Sequence, residues 1–250
     1  MAKTEHYYTK FELNNYYHVY NRSIDRKPMF CNTGNYDFFM KRYDKYLSPV
    51  IDTYAFCLLG NHFHLLIKPK TPSQSQDLTT FGKLSNLPQP QPQPQNLTTF
   101  EKLSNLPQPQ PHPQNLTTFG KLSNLTTHDI VSHQFQMFFQ SYAMAFNKQQ
   151  FRIGTLFQTP FKRALVNSNE YLIRLVYYIH ANPQLHGLIP DFRDWRWSSY
   201  FEILDARPNN TIQLEVLNWW GGKKQYIDYH SEKRETIDDK NLSLEDDDTI

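Results

Sequence analysis

Cysteine is nearly absent, with Cys31 and Cys57 the only two in 250 residues. So few thiols, so far apart, exclude a disulfide framework and a cysteine-rich zinc site, and they fit a reducing compartment. Long apolar runs are missing as well. No stretch approaches the roughly 18 consecutive apolar residues of a membrane span, and the opening MAKTEHYYTK lacks the apolar core of a secretion signal. These absences predict a soluble, cytoplasmic protein with no membrane partner. Apolar and aromatic residues, at 39% and 15% of the chain, suffice to bury a real core, and the length suits one domain with appendages.

The formal net charge of +2 conceals an asymmetry. Residues 231–250 hold three Lys/Arg against eight Asp/Glu, which leaves 23 against 16 in residues 1–230. A basic body favours a polyanionic partner, although ordinary solvated lysines account for the same excess. The acidic end reads as a disordered, solubilising tail.

The middle of the chain is a repeat. A segment beginning Asp77-Leu-Thr-Thr-Phe-Gly-Lys-Leu-Ser-Asn-Leu is followed by near copies starting at Asn96 and Asn115, a period of 19 residues. The first two copies end in alternating Pro and Gln. Such tracts cannot donate regular backbone hydrogen bonds, so residues 71–127 read as an inserted low-complexity loop, mostly disordered. Leu78, Phe81, Leu84 and Leu87 also have the spacing of a short amphipathic helix or docking motif.

On either side of the insert, periodicity predicts regular elements. Tyr16–Asn21 alternates as a strand, residues 35–47 form a helix after Gly34, and residues 52–67 give two strands around Leu59-Gly60-Asn61. Phe135, Phe138, Phe139, Tyr142, Ala143 and Phe146 mark a helix with an aromatic face. Residues 155–166 are strand-like with a break required at Pro160. Asn167 and Glu170 resemble a capping box opening a helix that ends near Asn182, because Pro183 disfavours helical geometry in the residue before it. This β-α-β-β-α-β-α order predicts an α+β fold, an antiparallel sheet with helices packed on it.

Two segments carry candidate chemistry. In Cys57-Leu-Leu-Gly-Asn-His-Phe-His-Leu-Leu-Ile-Lys68, strand alternation puts His62 and His64 on one face and Phe63, Leu65 and Ile67 on the other. A side-by-side imidazole pair can hold a divalent metal; the same pattern also fits two surface or hydrogen-bonded histidines. On the helix beginning near Glu170, Leu172, Leu175, Val176 and Ile179 form the core stripe. Tyr171, Arg174, Tyr178 and Asn182 then share one flank, and Tyr177 and His180 fall on the opposite one. Helical tyrosines commonly pack the ring and wet the hydroxyl, so this flank alone assigns no role.

Five motifs occur in order: Tyr16-Tyr-His-Val-Tyr-Asn-Arg22, Gly60-Asn-His-Phe-His-Leu-Leu-Ile-Lys68, Gly154-Thr-Leu-Phe-Gln-Thr-Pro-Phe-Lys162, Tyr178-Ile-His-Ala-Asn-Pro183 and Trp197-Ser-Ser-Tyr200. Together they resemble the REP-associated tyrosine transposases, of the IS-two-hundred-like branch of the HUH single-tyrosine transposases. The resemblance covers roughly residues 11–70 and 128–202. It implies a single ferredoxin-like domain of the HUH endonuclease type over those residues, with residues 203–250 as a C-terminal extension. It also implies cleavage of single-stranded DNA containing hairpins or palindromic repeats, and a divalent metal. The nucleophile falls by motif on Tyr178, and the amide four residues later, Asn182, becomes a third metal ligand beside His62 and His64. Related chains have a short connection where this one carries the repeat.

That ligand set suits Mg²⁺ or Mn²⁺ in a six-coordinate site better than tetrahedral zinc. The i, i+4 spacing of Tyr178 and Asn182 places nucleophile and ligand one turn apart, which favours Asn182 over His180. Attack by Tyr178 on a phosphodiester leaves a 5′-phosphotyrosine and a free 3′-hydroxyl, so a second hydroxyl can reverse the step and rejoin DNA. Arg22, Arg26, Lys68, Arg152, Lys162, Arg163 and Arg174, with Lys27 and Lys70, are candidates for phosphate contacts, and Tyr17, Phe157 or Trp197 for stacking on bases. Two other readings stay open: a DNA-hairpin-binding module without catalysis, and a metal-dependent phosphodiesterase that uses water. A homodimer is a further partner that the chain permits.

Overall fold

Alternation along Tyr16–Arg22 and His62–Pro69 gives each strand one apolar face and one mixed face, and the whole fold follows from covering both. In the computed structural model, residues 8–71, 125–207 and 210–235 are described. The elements are β1 (Tyr16–Arg22), α1 (Thr33–Tyr46), β2 (Ile51–Leu58), β3 (His62–Pro69), α2 (Thr127–Gln149), β4 (Lys162–Val166), α3 (Asn169–Leu185), a 3₁₀ turn (Phe192–Asp194), α4 (Tyr200–Leu204), α5 (Thr211–Trp219) and α6 (Lys223–Glu235). The sheet order is β2-β3-β1-β4, with every pairing antiparallel. This is the ferredoxin-like α+β arrangement expected. Among the described residues no helix is long and apolar enough to cross a membrane. Most of the expected insert (72–124) and the acidic tail from 236 onward lie outside the described residues.

Tyr17, Val19, Phe63, Leu65 and Ile67 project from one side of the sheet into a core closed by Phe39 and Tyr43 of α1 and Phe135, Phe138, Tyr142 and Phe146 of α2. The other side carries Ala55, Cys57 and Leu66 and is covered by Leu172, Leu175, Val176 and Ile179 of α3, the expected stripe. Full burial of each such side chain contributes about 1.5–3 kcal/mol, so both helical layers are held by the hydrophobic effect. Val216 and Leu217 of α5 and Tyr226 of α6 join this second core. The segment read as a C-terminal extension therefore packs directly against α3.

Several boundaries differ from the sequence reading. Thr126 caps α2 in a capping box with Asp129, and Thr127 opens the helix, although both fell within the expected insert. The strand expected over residues 155–166 is limited to Lys162–Val166; Phe157 makes a lone bridge to Ser23, and the Thr159–Pro160 peptide is cis. Ser168 rather than Asn167 caps α3, its side chain accepting from the Tyr171 backbone N–H. That helix also runs past Asn182 and through Pro183 to Leu185. Proline near a helix end removes a single ladder hydrogen bond. The turn is retained by His186 N–H donating to Asn182 O (3.0 Å) and Leu188 N–H to Pro183 O (2.8 Å), and by burial of Asn182 and Pro183.

Candidate active site

Strand period puts His62 and His64 on the α3 side of β3, and helix period decides what meets them. Tyr178 lies edge-on to His64, with ring centroids 5.4 Å apart at 81°. Two turns further along, His186 stands edge-on to His62 at 4.9 Å. Tyr178, Asn182 and His186 share one face of α3 at intervals of four, so Asn182 lies one turn from each of the two residues whose rings meet the strand histidines. His62, His64, Tyr178 and Asn182 are all buried. The rings of His62 and His64 are 5.3 Å apart and nearly perpendicular.

Antiparallel pairing of β1 with β3 completes the cluster. Tyr20 pairs with His64 and Arg22 with His62. The His18 and His64 rings stack at 5.2 Å, and His18 Nε2 is 2.9 Å from His64 Nδ1. Tyr20 stacks on His18 (4.7 Å) and His64 (5.5 Å), and the Lys162 ammonium lies over the Tyr20 ring at 5.6 Å. His62 Nδ1 is 2.6 Å from Asn61 Oδ1. Both strand histidines thus use Nδ1 in hydrogen bonds, and the Nε2 of each is buried. His18, Tyr20, Asn61 and His186 were not singled out from the sequence. The signal for His18 and Tyr20 was their shared face on β1, but matching that face to His64 requires the strand register.

Asn182 tests whether these residues suit a metal. Both its amide atoms are buried and have no hydrogen-bond partner. Such a group costs about 1–3 kcal/mol unless something satisfies it. A divalent cation ligated by the amide oxygen offsets that cost, so two imidazoles and an amide form a coherent donor set for Mg²⁺ or Mn²⁺. Among the described residues, no group of three or more His, Cys, Asp or Glu side chains is arranged to hold a metal ion.

The opposite flank of α3 is engaged elsewhere. His180 Nε2 is 2.9 Å from Ser199 Oγ, and its Nδ1 is 3.2 Å from His230 Nε2. Burial, reinforced by His230, holds His180 well below the ordinary imidazole range. Tyr177 packs edge-on against Phe192, Tyr229 and His230, and burial raises its hydroxyl pKa. Tyr177 and His180 therefore face the C-terminal helices, away from the histidine pair.

The basic candidates are dispersed. Arg163 donates from Nε to Thr9 O (2.8 Å) and from Nη2 to Tyr8 O (3.4 Å), with its guanidinium over Phe11 and Phe161, which ties down the segment before β1. Arg152 donates to Asn147 Oδ1 and Thr155 O and pairs with Asp25 at 3.6 Å. Lys68 lies over Tyr16, Arg26 is exposed in the loop after β1, and Arg174 is exposed one turn before Tyr178. Arg22 is half-buried beside His62 in register. Of the stacking candidates, Tyr17 and Phe157 are core residues, and Trp197 is stacked on Tyr36 at 4.4 Å.

No protein-family model matches the chain, and no curated protein matches it. Among solved structures it is similar to that of a REP-associated tyrosine transposase bound to a REP hairpin. The two share 12% sequence identity over 78% of this chain and 82% of that one, with a TM-score of 0.46.

Proposed function

We propose that this protein is a metal-dependent, HUH-type tyrosine transposase that nicks and rejoins hairpin-containing single-stranded DNA, with Tyr178 as its nucleophile. The observation that carries this reading is the edge contact of Tyr178 with His64. That contact supports Tyr178 over Tyr177, whose ring packs against Phe192, Tyr229 and His230 instead. The five sequence motifs support the same assignment.

In the proposed step, Tyr178 Oη attacks the phosphorus in line, forming an O–P bond, and the proton it gives up is balanced by the one the departing 3′-oxygen takes up. The bond from phosphorus to the 3′-oxygen breaks, and that oxygen leaves as a hydroxyl after taking up a proton. The product is a 5′-phosphotyrosine. Reversal by another 3′-hydroxyl joins strands without an external energy source. Mg²⁺ or Mn²⁺, held by His62, His64 and Asn182, would supply Lewis-acid polarisation of the scissile phosphate. Lys162, above Tyr20 beside the site, is positioned among the basic candidates to meet a phosphate nearby.

Incubation with Mn²⁺ and a labelled single-stranded hairpin tests the proposal. A denaturant-resistant protein–DNA adduct is expected from the wild type and none from Tyr178→Phe. Cleavage without any adduct indicates a hydrolase that uses water, and binding without cleavage indicates a non-catalytic module.

A further inference from the structure

We infer that Asn61 is a positioning residue that fixes the tautomer of His62, leaving Nε2 as that ring's metal-ligating nitrogen. The inference rests on the proposed metal site for its purpose, but its geometry stands apart from any reaction. Asn61 Nδ2 donates to the backbone carbonyl of Arg26 at 2.8 Å. A flipped amide would place Oδ1 against that carbonyl oxygen, so the orientation is determined by the network. Asn61 Oδ1 consequently faces His62 Nδ1 at 2.6 Å. An amide oxygen can only accept. Nδ1 must therefore carry the hydrogen, and in the neutral ring the lone pair lies on Nε2.

The loop after β1 is built to hold this arrangement. Arg26 adopts φ 57°, a left-handed conformation unfavourable for a side chain of its kind, and its N–H donates to Ser23 O at 3.1 Å. Ser23 N–H in turn donates to Asn61 O at 2.9 Å, so the carbonyl that orients the amide is anchored to Asn61 itself. Metal-binding histidines generally donate their second N–H to such a partner, which sets the ring angle and raises its basicity. His64 is less constrained, because its neighbour His18 can either donate or accept. Arg26 is also a candidate phosphate contact; its backbone has this separate structural role.

Two-bond ¹H–¹⁵N spectra of the metal-free, ¹⁵N-histidine-labelled protein at pH 8, above the ordinary imidazole value of about 6.5, test this directly. His62 signals are assigned by their absence in His62→Gln. The expected result is His62 protonated at Nδ1, the form free histidine disfavours. Protonation at Nε2 would overturn the inference without bearing on Tyr178 chemistry. In Asn61→Ala, the tautomers should mix and Mn²⁺ binding, followed by the electron paramagnetic resonance of free Mn²⁺, should weaken by about 10- to 100-fold. Unchanged tautomer and unchanged Mn²⁺ affinity in that variant would also overturn it. If wild type binds no Mn²⁺ yet shows the Nδ1–H form, the positioning stands and the metal-site reading fails.

Discussion

Asn182 and Tyr178 lie one turn apart on α3, yet their environments are opposite in kind: the Tyr178 ring is packed edge-on to His64, while both amide atoms of Asn182 are buried without a hydrogen-bond partner. Burying an unsatisfied amide is costly, so whatever satisfies it in the folded protein adds to stability. Strain of this kind separates stability from function and can be measured.

Mn²⁺ should stabilise the wild-type protein against urea by about 2.7 kcal/mol at a concentration 100 times its Kd, and excess chelator should remove the gain. In Asn182→Ala the gain should shrink sharply. The metal-free variant should lose little stability, because the deleted amide was unsatisfied and its removal offsets part of the cavity cost. Equal Mn²⁺ stabilisation of variant and wild type would remove Asn182 from the ligand set.

The adjacent tyrosines should respond differently to loss of a hydroxyl. Tyr177 Oη is buried without a hydrogen-bond partner, so Tyr177→Phe should raise stability by about 1 kcal/mol and leave adduct formation intact. Tyr178→Phe should abolish the adduct while shifting the urea midpoint little. Adduct lost in the first variant and kept in the second would reverse the assignment of the two helix flanks.

Stability should fall in mild acid. Burial holds His230 at about 4 and His180 well below the ordinary imidazole range. Unfolded, each ring takes up a proton near pH 6.5. Between that value and the folded ones the unfolded chain binds more protons, so the stabilisation is complete above about pH 6.5 and is lost as pH drops. The slope is at most about 1.4 kcal/mol per pH unit for each ring. Urea unfolding at pH 7, 6 and 5 should show this decline, and His230→Phe should flatten it. A slope identical in both proteins would mean that His230 titrates normally.

Lys162 and Arg163, neighbours on β4, should separate binding from folding. Arg163→Ala removes two charge-assisted hydrogen bonds to the segment before β1 and should cost about 1.5–3 kcal/mol of stability. Lys162→Ala should leave stability nearly unchanged. It should weaken hairpin binding uniformly across sequences and reduce the salt dependence by about one phosphate contact. Fluorescence anisotropy across a salt series reads the second effect and urea denaturation the first.

Much of this arrangement was legible in local pattern. The two-residue period of β3 set His62 and His64 on the face opposite Phe63 and Leu65, and the helical period of α3 separated Tyr178 from Tyr177 and found the buried stripe, because side-chain direction follows from backbone geometry alone. The end of α3 was not legible. Pro183 signals a stop locally, but hydrogen bonds from His186 and Leu188 and burial of the turn carry the helix onward and bring His186 to His62.

What tertiary structure alone decided is the company each face keeps. Tyr20 meets His64 because β1 and β3 pair in one register, and a shift by one residue would have turned both to opposite faces. Asn61 meets Arg26 O because the loop after β1 folds back over the β2–β3 turn. Which side chains share a face is set by local dihedral angles and can be read along the chain; which faces meet depends on hydrogen-bond register and packing between distant segments, and emerges only on folding.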